Sequence, residues 1–359
     1  WSSNNVGNPE PSYHSHFADL DNDGDLDIAS THSSNEDYAV IVWQNDGTPF
    51  SGTWSSNDVG DPSGNPASAV GLDTGDIDND GDIDIMITTE SGADYEVIVW
   101  QNDGSPFSGT WTENGVGSTV SSSDMAKLGD FDLDGDLDIV SVDKAGNGDV
   151  DVWQNDGTPF SGTWSQISVG TSTTSIAHVE VGDLDNDGAL DIAVATYSAE
   201  DYDVIVWENT LIHRNYHNWP TAGTDISTSA NSPYSIFAAD MDGDGDIDIL
   251  SASNGDDTIT WYENDGNANP SWTFLEIATD AAAAYSVFAA DMDNDGDMDV
   301  LSASYSDSTI AWYENLGDTD EDDILDWTAR DIATNASGAY SVFAADMDND
   351  GDKIVRAHV

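Results

Sequence analysis

The chain has 359 residues, with 71 acidic side chains against 6 basic ones, a net charge of −65 and no cysteine. That balance disfavours nucleic acid and anionic membrane as partners, since both require basic patches. It also excludes a disulfide framework and thiol chemistry, and no apolar run approaches the ~18 residues of a membrane span.

The first element is a tryptophan-headed segment, "WSSNNVG" (1–7), which returns as "WSSNDVG" at 54–60. After it comes "DLDNDGDLDIAS" (19–30), with five aspartates at alternate positions: Asp19, Asp21, Asp23, Asp25 and Asp27. A nearly unbroken apolar run, "YAVIVW" (38–43), reads as a strand buried on both faces. The "NDG" at 45–47 is a hairpin signal and leads to the next tryptophan-headed segment at Trp54.

The whole unit then repeats. Acidic loops follow at Asp76, Asp78, Asp80, Asp82 and Asp84, then at Asp130, Asp132, Asp134, Asp136 and Asp138. The fourth loop has Asp183, Asp185, Asp187, Ala189 and Asp191. Next come Asp240, Asp242, Asp244, Asp246 and Asp248, and then Asp291, Asp293, Asp295, Asp297 and Asp299. The last loop holds Asp346, Asp348, Asp350 and Asp352. The copies lie 57, 54, 53, 57, 51 and 55 residues apart. A period of this size marks a propeller, solenoid or array.

All 13 tryptophans fall into two series, one ending the apolar run (Trp43, Trp100, Trp153, Trp207, Trp261, Trp312) and one heading the late segment (Trp1, Trp54, Trp111, Trp164, Trp219, Trp272, Trp327). Each unit therefore reads as four short strands: a run such as "YSVFAAD" (285–291), the alternating "LDIAS" (26–30), the apolar run, and the late-tryptophan segment. Seven units of four strands predict an all-β, seven-bladed β-propeller occupying residues 1–359 as one domain. An open β-solenoid is the competing architecture. The split unit favours closure, because residues 1–7 and the last loop are complementary parts of one blade.

Hard oxygen donors at alternate positions, with glycine at the sharp turn, suit Ca²⁺. In each loop the first, third and fifth positions offer carboxylates, the seventh its backbone carbonyl, and the ninth closes the site. Ala189 at a seventh position fits a carbonyl ligand that needs no side chain. The loops are not EF-hands, because position 12 is Ser30, Ile87 or Ser141 in place of glutamate. Zn²⁺ prefers Cys and His, and Mg²⁺ dehydrates reluctantly. Seven Ca²⁺ sites are expected, the seventh incomplete, because Ile354 stands at its ninth position. The loops hold 33 of the 71 acids, and the 38 others still face only 6 bases. Seven divalent ions would bring −65 only to −51, so calcium does not account for the acidity. A surface adapted to high salt and a generally acidic secreted protein both fit.

The pattern Asp-x-Asp-x-Asp-Gly-x-x-Asp, set between a "VFAAD" strand and a "DVLSAS" strand, resembles the FG-GAP/VCBS repeat. That family includes the calcium-bearing propeller blades of integrin alpha chains and of related microbial surface proteins and lectins. The resemblance covers essentially the whole chain. It implies a seven-bladed propeller, Ca²⁺ in the blade hairpins and an extracellular or cell-surface setting, without implying one ligand.

No P-loop, nucleophile elbow or dinucleotide fingerprint occurs, and the six bases are too scattered for a polysaccharide lyase. His14 and His16 in "YHSHF" read as surface residues at a strand start. The expected role is adhesion, binding or extracellular assembly on a protein or glycan partner, not catalysis. A sugar-binding lectin, or the sugar-binding module of a polysaccharide-active enzyme, is the alternative. A tryptophan at a fixed place in each blade reads first as inter-blade packing. "PFSGTW", identical at 49–54, 106–111 and 159–164, reads either as recent duplication or as a repeated contact surface. The late strand of the last blade is expected from residues 1–7. Its missing third strand leaves a gap for residues beyond this sequence or for a strand of a neighbouring subunit, which would build a filament or array.

Overall fold

The computed structural model describes residues 6, 12–32, 40–62, 69–89, 95–117, 123–143, 148–172, 174–197, 203–210, 219–220, 222–227, 230–317 and 325–358. The chain divides into two compact units, Trp1–Thr173 with Met347–Asp350, and Thr174–Asp346 with Gly351–Val359.

The first unit holds three four-stranded antiparallel sheets, each built in chain order. They are β1 (Ser12–Ala18), β2 (Asp27–His32), β3 (Val40–Gln44) and β4 (Ser55–Gly60); β5 (Ala69–Gly75), β6 (Asp84–Thr89), β7 (Val97–Gln101) and β8 (Thr112–Gly117); and β9 (Ser123–Gly129), β10 (Asp138–Asp143), β11 (Asp149–Gln154) and β12 (Ser165–Thr171). The second unit repeats the plan with β13 (Ser175–Gly182), β14 (Asp191–Tyr197), β15 (Val204–Trp207) and β16 (Thr224–Ser227); β17 (Pro233–Ala239), β18 (Asp248–Ser253), β19 (Thr258–Asn264) and β20 (Trp272–Ala278); and β21 (Ala284–Ala290), β22 (Asp299–Ser304), β23 (Thr309–Asn315) and β24 (Trp327–Ala333). It ends in a two-stranded sheet of β25 (Ser341–Ala345) and β26 (Ile354–His358).

Within each unit the first strands of successive sheets pack side by side: β1 on β5 and β5 on β9, then β13 on β17, β17 on β21 and β21 on β25. Six four-stranded blades and a partial seventh sheet therefore make an all-β propeller. Residues 1–7, expected to supply the closing strand, lie outside the described residues apart from Val6.

The second strands are covered on both faces, and all six residues of β2, β6, β10, β18 and β22 are buried. Their Asp, Ser, Thr and His residues are buried along with the Ile, Val, Leu and Ala, so two-sided burial falls on these second strands more completely than on third strands such as β3 and β11, where the sequence predicts it. The third-strand tryptophans fill the space between blades. Trp100 joins Leu20, Ala29 and Val42 of the first blade in one cluster, and Trp153 joins Met86, Val97 and Val99 of the second.

The late tryptophans do something different. The indoles of Trp54, Trp111 and Trp164 donate back to the carbonyls of Pro49, Pro106 and Pro159 at 3.3, 3.2 and 3.2 Å. The Pro106 and Pro159 carbonyls also accept from Asn57 and Asn114 of the preceding blade, at 2.8 and 2.6 Å. "PFSGTW" thus closes the same indole-to-carbonyl bond in three successive blades, and its second and third copies also bond to the blade before.

In the seventh sheet Ala345 pairs with Ile354, as Ala18 pairs with Asp27 and Ala290 with Asp299. The register has not slipped. Ile354 occupies the place of the ninth aspartate, and an alkyl group stands where the other blades put a carboxylate.

Candidate metal centres

Each acidic loop joins the first two strands of a blade, and its shape follows from two left-handed residues. In the first loop these are Asn22 (φ 58°) and Gly24 (φ 96°). A β-carbon at Gly24 would meet nothing within 4 Å, so glycine is there for its backbone angle and not for space. Turning the chain this way points its N–H groups inward, and the aspartates take them up. Asp19 Oδ1 accepts from the Asp23 amide and Oδ2 from Gly24, both at 3.0 Å. Asp23 Oδ1 accepts from the Asp25 amide at 3.0 Å.

The ninth aspartate is the most constrained. Asp27 is fully buried, with Oδ2 accepting from the Leu20 amide at 3.1 Å and Oδ1 from Asn45 at 2.8 Å. The equivalent aspartates Asp84, Asp138, Asp191, Asp248 and Asp299 bind in the same way. Burial pushes the carboxyls of Asp27, Asp84, Asp191 and Asp248 up to about 7, and that of Asp138 to about 8, while the backbone donors pull the other way. For Asp299 the result is about 6. The third-position carboxyls of Asp21, Asp78 and Asp132 are raised too, first by burial and then by the fifth-position aspartate beside each.

The fold brings carboxylate oxygens of the first, third and ninth positions within 4.8 Å of one another. This holds for Asp19, Asp21 and Asp27; Asp76, Asp78 and Asp84; Asp130, Asp132 and Asp138; Asp183, Asp185 and Asp191; and Asp240, Asp242 and Asp248, with two further groups of this kind among the described residues. The buried Oδ1 atoms of Asp21, Asp78, Asp183 and Asp346 have no hydrogen-bond partner. Three carboxylates this close, with buried oxygens left over, fit a bound metal ion. An all-oxygen donor set is the kind a hard divalent ion takes.

Asp23, Asp80, Asp134, Asp187, Asp244 and Asp295 each turn one oxygen onto the amide two residues on, which leaves the other for a ligand role. The seventh position departs from the reading of a dispensable side chain. Asp82 and Asp136 accept from Asn22 and Asn79 of the preceding loop, at 3.3 and 3.0 Å, and Asp246 accepts from Asn186 at 2.5 Å. Ala189 simply lacks that acceptor. Where an asparagine precedes it, the seventh side chain joins one blade to the next.

Two sets of residues escaped the sequence reading. The fourth-position asparagines also donate to the next loop's glycine carbonyl: Asn22 to Gly81, Asn79 to Gly135, Asn294 to Gly351 and Asn349 to Gly24. The asparagine at the end of the third strand spans two blades in four cases. Asn102, Asn155, Asn264 and Asn45 donate to the carbonyls of Leu20, Ile77, Leu184 and Met347. Their signal was recurrence at a fixed place, in "QND" and "END".

A family model for the FG-GAP-like repeat matches residues 19–87, 76–141, 130–194, 240–302 and 291–353. No curated protein sequence matches the chain. Among solved structures, the chain is similar to an Agrocybe aegerita lectin described as recognising non-reducing terminal N-acetylglucosamine. The two are 17% identical with a TM-score of 0.59, over 97% of this chain and 86% of that one. It is also similar to BBS1N, solved in complex with ARL6DN, at 13% identity and a TM-score of 0.57, over 98% of this chain and 90% of that one. At these identities the likeness is one of fold, whereas the repeat matches carry the acidic loops themselves across most of the sequence: the chain belongs to the FG-GAP-like repeat family.

Proposed function

We propose that the protein is a calcium-stiffened binding propeller that works outside the cell or at its surface, in adhesion or extracellular assembly, and that it acts by binding and not by catalysis. The observation that carries this reading is the recurrence of the same carboxylate triad, with its buried ninth aspartate, at the same hairpin of successive blades. Bound Ca²⁺ would be held by the first, third, fifth and ninth carboxylates and the seventh carbonyl. There it neutralises charge and ties the first two strands of a blade together. Extracellular sites of this class bind at about 10⁻⁴–10⁻³ M, which suits a compartment rich in calcium. The paired carboxylates have a use in these loops, so no separate acid–base pair is invoked.

A second reading, carbohydrate binding, has its own support. Tyr234 and Tyr285 lie 4.6 Å apart, and Tyr285 and Tyr305 lie 5.3 Å apart, at the end of their blades away from the acidic loops. Tyr305 is 50% exposed. Clustered, partly open aromatic faces suit the apolar face of a sugar ring, and one structural neighbour is a lectin. A glycan array probed in calcium buffer tests both readings. Specific hits that vanish in Tyr285→Ala support the sugar reading. Silence on glycans combined with calcium-dependent self-association or protein capture supports assembly. Binding of either kind that ignores calcium removal would overturn the primary reading.

A further inference from the structure

The residue that follows the third-strand aromatic divides the blades. Trp43 pairs with Ile28 and is followed by Gln44, whose Nε2 donates to the third-position Asp21 Oδ2 at 2.8 Å. Gln101 and Gln154 do the same to Asp78 and Asp132, both at 2.6 Å. In the next three blades the register is the same, with Trp207 opposite Ile192, Tyr262 opposite Ile249 and Tyr313 opposite Val300. The residues that follow are now Glu208, Glu263 and Glu314. A neutral donor that satisfies one oxygen of the third carboxylate has been exchanged for a further carboxylate beside it.

The three glutamates are not equivalent. Glu314 is bound by Arg330, which also lies over the Trp312 ring, so its charge is matched. Glu208 serves the loop in which Ala189 has already removed the seventh-position carboxylate. Glu263 adds to a loop that keeps all five aspartates; it is half-buried, follows Tyr262 at the register position from which Gln44, Gln101 and Gln154 reach the third aspartate, and burial first, then the charges of Asp242 and Asp244, hold its carboxyl up. Among the described residues, only the fifth blade therefore adds to five aspartates a glutamate at this position with no basic partner to offset it.

We propose that Glu263 makes the fifth-blade loop, Asp240 to Asp248, the highest-affinity calcium site of the protein, so that the sites fill in order and not together. The inference rests on the calcium reading above. Ligand charge count tunes affinity at such sites. By Coulomb's law in water, one extra carboxylate about 6 Å from a divalent ion strengthens binding about tenfold.

The test is a calcium titration against a chromophoric chelator, with the full chain stripped of metal. The native protein should show one equivalent about tenfold tighter than the rest. Glu263→Gln should merge that equivalent with the others, while melting in saturating Ca²⁺ stays native. Arg330→Gln frees Glu314, and Gln154→Glu copies the fifth blade into the third, so each should create a second tight equivalent. A tight equivalent that survives Glu263→Gln, or its absence from the native titration, would overturn the inference while leaving calcium binding intact. Absence of any calcium uptake would instead overturn the calcium reading itself.

Discussion

Replacing Asn155 with alanine should be among the most damaging single changes outside the loops. Asn155 is 4% exposed. Its Nδ2 donates to Ile77 O of the preceding blade at 3.1 Å and to Leu137 O of its own at 3.2 Å, while Oδ1 accepts from the Gly157 amide at 3.0 Å. Gly157 is exposed, so water can replace that last bond. The two carbonyls cannot be reached so easily, and an unsatisfied buried group costs about 1–3 kcal/mol. Asn155→Ala should therefore destabilise by about 2–4 kcal/mol. Asn79 provides the contrast, since it also links two blades, through Gly135 O and Asp136 Oδ1, but at an exposed position. Glycine keeps its left-handed backbone, as Gly243 does at the same place in the fifth loop. Asn79→Gly should cost at most about 1 kcal/mol, because water replaces both bonds. Urea unfolding in saturating Ca²⁺, followed by tryptophan fluorescence, measures both as midpoint shifts at constant slope. If Asn79→Gly costs as much as Asn155→Ala, burial is not what gives the inter-blade asparagines their weight, and the reasoning fails.

Three further outcomes are expected. Chelation should lower the melting temperature sharply, and Ca²⁺ should restore it better than Mg²⁺, since binding free energy adds to folding free energy; an unchanged melting curve in excess chelator would refute calcium-dependent stability. Asp130→Ala should lose one bound calcium, whereas Asp136→Ala should keep it and lose only the bond to Asn79, about 0.5–1.5 kcal/mol; equal calcium losses in a direct count of bound metal would show the ligands to be misassigned. In metal-stripped protein, Asp27, Asp84, Asp191 and Asp248, raised to about 7, and Asp138, raised to about 8, hold protons in the fold that the unfolded chain has released. Their contribution is fully present below the unfolded value near 4 and is lost as pH rises through 7 and 8, so the stripped protein should melt higher at pH 5 than at pH 8, and the reverse order would contradict this.

The repeat made the blades legible before any coordinates. An Asp-rich turn, a strand buried on both faces and a fixed tryptophan each have strong local causes, and their period multiplied the signal. The first, third and ninth carboxylates could be grouped because the loop is short and its glycine dictates the fold-back. What stayed hidden was long-range. Nothing local says that Asn155 will reach a carbonyl 78 residues earlier, or that the Pro106 carbonyl serves both Trp111 and Asn57. The seventh-position side chain was misjudged for the same reason. Ala189 argued that a carboxylate there is dispensable for metal, but its hydrogen-bond partner lies 57 residues away in the case of Asp136. At Ile354 the sequence alone cannot separate a deletion from a substitution, whereas the pairing with Ala345 can.

The two roles of the acidic loop belong to one device. The seventh residue, proposed to offer its carbonyl to the ion, has a carboxylate that accepts the asparagine of the preceding blade, as does the neighbouring glycine carbonyl. Ordering a loop around an ion therefore sets the acceptors for its neighbour in place. In the first unit this relay is unbroken: Asn349 reaches Gly24, Asn22 reaches Gly81, and Asn79 reaches Gly135. It stops at Leu133, which holds the same left-handed backbone at φ 55° but has no group to donate. In the second unit Asn186 reaches Asp246 and Asn294 reaches Gly351, while Gly243 at the fourth position of the loop between them has no side chain to do so. On the calcium reading, an ion lost from one loop would weaken the contact made by the blade before it wherever an asparagine stands at the fourth position, a contact that Gly243 has no side chain to make. On that reading ion binding and blade packing are coupled within each unit, and the fourth residue of a loop decides whether that loop passes the coupling on.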